Sequence, residues 1–463
     1  MGIQVKRNRG KAQFAMSTVR LSIWSGVVAI ALSPATPRIA AQTPLTTLYT
    51  FADGAGGGYP SFSNLIEKGG DLYGAAQNGG TFNSSCPSGC GTIYKLRPPK
   101  KPGKAWRQTV LYSFQGGLDD GNSPQALTLG PGGVFYGMTY LGGANNDGTV
   151  FELAPPAAAG GTWTGTTIYS FGAYQGDVTP ASSIAGLVAS KTGAVYGTAA
   201  FGGADGYGGV FELTPPSAPG GTWTETVIYS FTSGDVAGGD AVGGIVLGKH
   251  AEIYGAVETG GLHDVGFVYE LKRKPSGEWV ETDIHDFAGG PSDGGLPSTT
   301  LILDSNGALY GTTFEGGSGP CGGFTSGCGA VFKLSPPASA GGVWTPSILY
   351  GFTTANDDGV APAGSLLFGA GGVLYGTTTV GGTGSCSIYF EPGCGTIFEL
   401  TPPTAMSNPW TETILYDFSG AADGAYPAVG LVHGQNGELY GTTYYGGIAS
   451  GSAGFGTVYQ VTP

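Results

Sequence analysis

The chain has 463 residues, a formal net charge of −13, 89 glycines and 30 prolines. A protein this acidic repels nucleic-acid phosphates and anionic membrane surfaces, so we expect neither as a partner. The glycine and proline content alone would suit disorder. However, the glycines are periodic and 11 % of residues are aromatic, which indicates many short strands joined by tight turns.

Residues 1–41 predict a secretory signal peptide. A basic segment precedes an apolar run from Leu21 to Ser33, and a small-residue stretch ends at Ala41, the predicted cleavage point. The run of about 13 residues is shorter than the ~20 that cross a bilayer, and Met16 is an alternative start. Cleavage leaves 13 basic residues against 32 acidic ones, a net charge of −19. We therefore expect a periplasmic or extracellular protein without a membrane span.

From residue 43 the sequence repeats a unit of four strand-like pieces, which we name A to D in chain order. Piece A pairs a small residue with an aliphatic one, piece B reads LYGTTxxGG, piece C reads GTVFEL, and piece D reads WTETVLYSF. The tyrosine of piece B recurs at steps of 56 to 65 residues, at Tyr73, Tyr136, Tyr196, Tyr254, Tyr310, Tyr375 and Tyr440. Four short strands in a unit of this length are typical of a β-propeller blade.

The two ends of the repeat region predict how the ring closes. The last piece, Gly456 to Pro463, is a C piece, while the first, Thr43 to Phe51, is a D piece. The N-terminal strand (43–51) should therefore complete the last blade, which hides two sheet edges. We predict an all-β, seven-bladed β-propeller over residues 42–463, with four antiparallel strands per blade and an innermost A strand.

Because antiparallel strands alternate in direction, the D–A and B–C loops should share one face, which we call the loop face. The D–A loops carry a recurring aspartate, at Asp53, Asp120, Asp177, Asp240, Asp293, Asp358 and Asp423. These carboxylates could bind calcium, but that ion needs six or more oxygens and each loop offers one or two. An aspartate that bonds its own turn is the preferred interpretation.

The six cysteines occur as close pairs within the three longest B–C loops, at Cys86-Cys90, Cys321-Cys328 and Cys386-Cys394. Local disulfides that staple long loops are expected in an exported protein. Zinc is the rival interpretation, but the pairs lack neighbouring histidines.

The units YGTTxxGG, GTVFEL and WTETVLYSF resemble the Gloeo–Verruco (GloVer) tandem-repeat family of exported bacterial proteins. The resemblance covers residues 43–463. It implies a propeller fold similar to that of quinoproteins, and it implies no shared activity and no catalytic residues.

Blade four departs most from the repeat. It has His285 where other blades have tyrosine, and its B–C loop holds Glu258, His263 and Asp264. A histidine beside carboxylates can perform acid–base chemistry. Ordinary surface residues are the alternative, since no nucleophile or metal motif accompanies them.

Our first hypothesis is a monomeric binding or scaffold protein whose loop face binds a glycan or another exported protein, because variable loops on a rigid scaffold usually carry recognition. The alternative is a lyase or hydrolase with a site near the channel mouth around blade four. A quinone-dependent dehydrogenase is a more distant analogy. We expect no cofactor; calcium is the alternative.

Overall fold

The computed structural model describes residues 43–463 except 61–63, 102, 159, 173–175, 180–185, 219, 233–242, 298, 318–320, 322–326, 340, 356–357, 389–390, 406–407, 428 and 448–453. The predicted signal peptide and Asp240 lie outside the described residues. Within them, no helix is long and apolar enough to cross a membrane. The regular structure consists of β-strands and short 3-10 turns such as Pro131–Gly133 and Ala370–Gly372.

Strands of the first four blades follow the predicted A-to-D order, preceded by the N-terminal strand β1 (Leu45–Thr50). Blade 1 contains β2 (Gly58–Pro60), β3 (Ile66–Lys68), β4 (Asp71–Asn78), β5 (Thr92–Arg97) and β6 (Arg107–Ser113). Blade 2 contains β7 (Gly121–Leu129), β8 (Phe135–Gly142), β9 (Thr149–Ala154) and β10 (Thr164–Ser170). Blade 3 contains β11 (Val178–Thr179), β12 (Leu187–Ala189), β13 (Val195–Ala199), β14 (Phe201–Gly202), β15 (Gly209–Thr214) and β16 (Thr224–Ser230). Blade 4 contains β17 (Val246–Leu247), β18 (Ile253–Val257), β19 (Phe267–Arg273) and β20 (Trp279–Asp286).

The last three blades continue the same order and end on a C strand. Blade 5 contains β21 (Gly294–Gly295), β22 (Ile302–Leu303), β23 (Leu309–Thr313), β24 (Glu315–Gly316), β25 (Ala330–Ser335) and β26 (Thr345–Gly351). Blade 6 contains β27 (Gly359–Pro362), β28 (Leu367–Phe368), β29 (Leu374–Gly381), β30 (Ser387–Ile388), β31 (Glu391–Pro392), β32 (Thr396–Thr401) and β33 (Thr411–Asp417). Blade 7 contains β34 (Val432–His433), β35 (Leu439–Thr443) and β36 (Thr457–Val461).

The ring closes as predicted, through the first and last strands. β1 pairs antiparallel with β36, so that Leu45 lies opposite Val461 and the last blade has the order β1-β36-β35-β34. The amide of Gly430 in blade 7 donates to the Asn64 side chain of blade 1 at 2.7 Å. The seven-bladed propeller is confirmed.

Neighbouring blades are joined by one repeated aromatic contact. The phenylalanine that ends piece D is buried and packs edge-on against the aromatic ring of strand C in the next blade, with ring centroids 5.0 to 5.4 Å apart. The strand C ring in turn covers the glycine of LYG. At Gly137, for example, a Cβ atom would lie 2.2 Å from Phe151 Cζ. The Tyr-Gly dipeptide of strand B is therefore a packing requirement.

Every D strand contains a β-bulge one residue before its tyrosine or histidine. The bulged residues are Leu48, Leu111, Ile168, Ile228, Ile284, Leu349 and Leu415. A bulge inserts one unpaired residue and re-aims the side chain that follows it. Here the side chain that follows is the aromatic residue that contacts the D–A loop.

The small residues of piece A lie where neighbouring blades approach each other. A Cβ atom on Gly186 would be 3.1 Å from Gly244 Cα, and one on Gly244 would be 2.2 Å from Thr300 Oγ1. These three residues occupy the same repeat position in successive blades. Such close contacts between A strands agree with the predicted innermost position.

Candidate functional site

The D–A and B–C loops are joined by repeated backbone hydrogen bonds, so together they form one continuous surface. The second glycine of LYGTTxxGG donates its amide to the carbonyl of the D–A aspartate, as Gly143 does to Asp120 at 2.9 Å and Gly382 does to Asp358 at 3.0 Å. The phenylalanine ending piece D also donates to a B–C glycine, as Phe114 does to Gly91 at 3.1 Å. This is the loop face expected from the strand order.

The D–A aspartates direct their carboxylates into the chain itself. Asp120 accepts hydrogen bonds from Tyr112 Oη at 3.0 Å, from the Gln115 amide at 2.8 Å and from the Gly121 amide at 2.8 Å. The same tyrosine–aspartate contact joins Tyr169 to Asp177, Tyr350 to Asp358 and Tyr416 to Asp423. In blade 4, His285 Nε2 donates to Asp293 Oδ1 at 3.2 Å and replaces the tyrosine. These contacts hold five of the D–A loops against the strand before them.

Asp53 lies differently from the other aspartates. It accepts from the adjacent Gly54 amide at 3.1 Å and has a positive φ of 49°. The tyrosine of its blade, Tyr49, instead donates to Gln108 Oε1 of the next blade at 2.8 Å. Among the described residues, no group of three or more His, Cys, Asp or Glu is placed to hold a metal ion.

Three disulfides fasten the long B–C loops of blades 1, 5 and 6, joining Cys86 to Cys90, Cys321 to Cys328 and Cys386 to Cys394. The cysteine pairing predicted from the sequence is confirmed. Two of the bridges pack on the neighbouring D–A loop. A Cβ atom at Gly116 would lie 3.1 Å from Cys86 Sγ, and one at Gly420 would lie 2.4 Å from Cys386 Sγ. These two disulfides therefore hold their B–C loops against the neighbouring D–A loops.

The blade-four candidates lie in the B–C loop between β18 and β19. His263 and Asp264 are exposed in a turn, where Asp264 has a φ of 58°, while Glu258 is half-buried directly after strand β18. A shaped acid–base site excludes water, and an exposed turn does not. A catalytic role for Glu258, His263 and Asp264 stays a prediction.

Five aromatic rings gather on the loop face where blade 7 meets blade 1, and we call them the aromatic cluster. They belong to Tyr59, Tyr426, Tyr444, Tyr445 and Phe455. Tyr59 is at the centre, 5.3 Å from Tyr444, 5.8 Å from Tyr445 and 5.4 Å from Phe455 by ring centroids. Tyr445 also packs against Tyr426 at 5.6 Å and Tyr444 at 4.7 Å.

Backbone contacts hold these rings in place. Tyr59 and Tyr426 precede prolines and have positive φ angles of 55° and 59°. The Tyr59 amide donates to the Phe455 carbonyl at 2.8 Å, and the Tyr445 amide donates to the Ala425 carbonyl at 3.1 Å. A non-glycine residue in this conformation is costly and persists where its surroundings fix it. The cluster is therefore built rigidly.

The outer rings of the cluster remain partly accessible and carry polar groups. Tyr59, Tyr444, Tyr445 and Phe455 are half-buried, whereas Tyr426 is 5 % exposed. Tyr444 Oη donates to Gln77 Oε1 at 3.2 Å, and burial raises the pKa of Tyr444 to about 12. The hydroxyl of Tyr444 therefore stays neutral across the physiological pH range and can both donate and accept hydrogen bonds.

The aromatic cluster was not predicted, although the sequence contains a signal for it. The two variable positions of LYGTTxxGG are both tyrosine only in the last repeat, and a tyrosine precedes the proline of the D–A loop at Tyr59 and Tyr426. The equivalent residues before proline elsewhere include Ser123, Leu296 and Ala361. This aromatic departure from the repeat falls where the ring closes.

The family model of the Gloeobacter/Verrucomicrobia repeat (Gleo_Verruco) matches residues 37–187, 183–390 and 320–463. The chain belongs to this repeat family. The matched ranges span the whole propeller, so the Gloeobacter/Verrucomicrobia repeat corresponds to the blades described above. No curated protein matches the chain.

Two solved structures are distantly similar to this Gloeobacter/Verrucomicrobia repeat protein. One is a protein of unknown function from Dyadobacter fermentans, at 14 % identity and a TM-score of 0.39, covering 80 % of this chain and 96 % of that one. The other, from Thermus thermophilus, is provisionally named an oxidoreductase (glucose dehydrogenase), at 15 % identity and a TM-score of 0.40, covering 90 % and 99 %. At this distance neither bears on activity.

Proposed function

We propose that this protein is an exported carbohydrate-binding propeller and that the aromatic cluster at the junction of blades 7 and 1 is its binding site. The observation that supports the proposal is the grouping of Tyr59, Tyr444, Tyr445 and Phe455 as half-buried rings on the loop face.

The chemistry of the cluster suits a sugar. The apolar faces of pyranose rings pack on aromatic rings, while sugar hydroxyls need donors and acceptors around them. Tyrosine offers both, since it combines a large, rigid contact area with a hydroxyl. Gln77, next to Tyr444, adds a carboxamide at the edge of the cluster.

The charge of the protein favours a neutral glycan over an acidic one. The mature chain would carry a net charge of −19, and such a field repels uronic-acid and sulfated polymers. Asp53 lies in the same D–A loop as Tyr59 and adds negative charge beside the cluster. Burial, Tyr445 and Asp53 together raise the pKa of Tyr59.

Export is supported by the disulfides, which persist in oxidising compartments. The three bridges lie in B–C loops of the same loop face as the cluster. A rigid loop surface loses less conformational entropy on binding, which favours recognition of a weakly interacting ligand such as a sugar chain.

The test is a screen of the mature protein on a neutral and acidic glycan array, followed by titration calorimetry with the best ligand. Tyr59→Ala and Tyr444→Ala should each weaken binding by about tenfold, which corresponds to about 1.4 kcal/mol. Tyr140→Ala is the matched control, because Tyr140 is the blade 2 equivalent of Tyr444. Binding that Tyr140→Ala weakens as much as Tyr444→Ala does, or a screen with no neutral glycan bound, would refute the proposal.

A further inference from the structure

Each junction between blades contains a slot that the repeat fills in different ways. The slot lies between the D-strand aromatic residue of one blade and the third residue of piece D in the next blade, which we call the facing residue. The facing residues of blades 1 to 7 are Gln108, Gly165, Glu225, Glu281, Pro346, Glu412 and Leu45. In blade 1, Gln108 reaches Tyr49 at 2.8 Å. In blade 2, a Cβ atom on Gly165 would lie 2.5 Å from the Tyr112 ring.

The slot between blades 4 and 5 is open. Its aromatic residue is His285, which is shorter than tyrosine, and its facing residue is Pro346, which has no carboxyl or carboxamide. A pocket of 240 Å³ results. One wall is polar, with His285, Asp293 and Ser292, and the other is apolar, with Phe332, Leu334 and Ile348.

The imidazole of His285 is held in a fixed orientation. Its Nε2 donates to Asp293 at 3.2 Å, and its ring packs edge-on against Phe287 at 4.6 Å. Asp293 also accepts from the backbone amides of Ala288 and Gly294, both at 2.9 Å. Among the described residues, Nδ1 of His285 has no hydrogen-bond partner. When the ring is protonated, Nδ1 becomes a charged donor.

Among the described residues that line this pocket, Asp293 is the one that carries a carboxylate. The other charged groups nearby make contacts elsewhere. Lys333 alternates with the pocket residues of its strand and lies 5.1 Å from the Tyr310 ring. Asp286 accepts from the Leu262 amide in the B–C loop of its own blade. Asp283, on the same strand as His285, is exposed.

We propose that this pocket binds a short-chain monocarboxylate, of the size of propionate, with its carboxylate on His285 and its alkyl chain against Phe332, Leu334 and Ile348. The repeat itself supplies the template. Gln108 shows that a side-chain carboxamide fills the equivalent slot and accepts from the aromatic residue. Histidine adds what tyrosine lacks, a second ring nitrogen, Nδ1, that can donate to an anion when the ring is protonated.

This site lies between blades 4 and 5, apart from the aromatic cluster, and does not depend on carbohydrate binding. It is tested on the full mature protein by following the histidine ring resonances in NMR while sodium propionate is added. The chain has four histidines, and the His285 signal is assigned by its loss in His285→Tyr. At pH 5.5 we expect a saturable shift of that signal with a Kd on the order of 1 to 10 mM.

One variant and one alternative ligand distinguish carboxylate binding from simple filling of the apolar pocket. Pro346→Gln introduces the facing residue of blade 1 and should weaken propionate binding at least tenfold while His285 keeps its contact with Asp293. Propan-1-ol, with the same alkyl length and no charge, should leave the His285 signal unmoved. The proposal is overturned if propionate gives no saturable shift up to about 100 mM. It is equally overturned if Pro346→Gln binds as tightly as the parent or if propan-1-ol competes equally well.

Discussion

Tyr350 donates its hydroxyl to Asp358 across 3.0 Å, and Glu412 of the next blade shares their slot. Burial raises the pKa of Glu412 to about 8, with the nearby Asp358 carboxylate as a second cause. Burial also raises the pKa of Asp358 to about 6, although hydrogen bonds from Thr353, Tyr350 and Gly359 oppose the rise. The two carboxyl groups at this blade junction therefore disfavour each other's ionisation.

Replacement of Glu412 by glutamine should stabilise the protein at neutral pH. A carboxyl whose pKa is higher in the folded state contributes fully at low pH, and the contribution is lost as pH rises from about 4.5 to about 8. Glu412→Gln removes this loss, so we expect a gain on the order of 1 kcal/mol at pH 7.5 and little change at pH 4. Glutamine already occupies this position in blade 1, as Gln108. Urea unfolding at both pH values measures the difference.

The control for this substitution is Glu278→Gln, since Glu278 is exposed and pairs with Lys274 on the surface. Surface pairs of this kind contribute little, so the control should leave the pH dependence unchanged. A Glu412→Gln variant that is less stable than the parent at pH 7.5 would contradict the assigned burial and repulsion.

Removal of the Phe51 ring tests ring closure. Phe51 is 1 % exposed and packs against Tyr94 at 5.2 Å, as Phe114 packs against Phe151 in the next blade. If the N-terminal strand is an integral part of blade 7, Phe51→Ala should cost about 3 to 5 kcal/mol, and Phe114→Ala should cost the same. Denaturant unfolding measures both, with Phe82→Ala as the control because Phe82 is 51 % exposed. A cost for Phe51→Ala no larger than that of Phe82→Ala would mean that the strand is dispensable.

The fold was predictable because periodicity and the mismatched end pieces together determine a closed ring. The aromatic cluster was not, although closure creates it. Tyr59 and Tyr445 lie at opposite ends of the sequence and meet only where blade 7 joins blade 1. The expected hydrogen bonds of an aspartate to its own turn are present, as at Asp120, but the tyrosine partner was missed. The bulge before Tyr112 turns its hydroxyl toward Asp120, and bulges leave no clear mark in the sequence.

The pKa of Asp293, which pairs with a histidine, is lowered, whereas the pKa of Asp120, which pairs with a tyrosine, is raised. Burial alone would raise the pKa of Asp293, but hydrogen bonds from His285 and the Ala288 amide, with the histidine charge, lower it overall. After the D strand of blade 1, burial dominates and raises the pKa of Asp120. An aspartate with a lowered pKa stabilises the fold above its unfolded pKa, and this contribution disappears as pH falls through the folded pKa.

We therefore expect Asp293→Asn to destabilise the protein by about 1 to 2 kcal/mol at pH 7, and by less at pH 3. Asp120→Asn is the matched variant and should show the opposite trend, with its smaller cost at neutral pH. Thermal unfolding between pH 3 and pH 7 compares the two slopes. Identical slopes would show that the His285 partner does not distinguish Asp293 from Asp120.

The first glycine of LYGTTxxGG is required because two loops meet there. Gly79 has a φ of 78°, and a Cβ atom on it would lie 2.3 Å from the Gly54 carbonyl oxygen and 2.6 Å from Gly57 Cα. Gly103 has a similar φ of 75° but nothing within 4 Å of such an atom. Gly103→Ala should therefore cost only the backbone strain of about 1 kcal/mol. Gly79→Ala adds a backbone clash and should cost at least about 3 kcal/mol. The clash would separate the D–A loop from the B–C loop. Urea unfolding of the two variants therefore measures how much the contact between these loops contributes to stability. Equal costs for the two variants would show that the loops move apart freely.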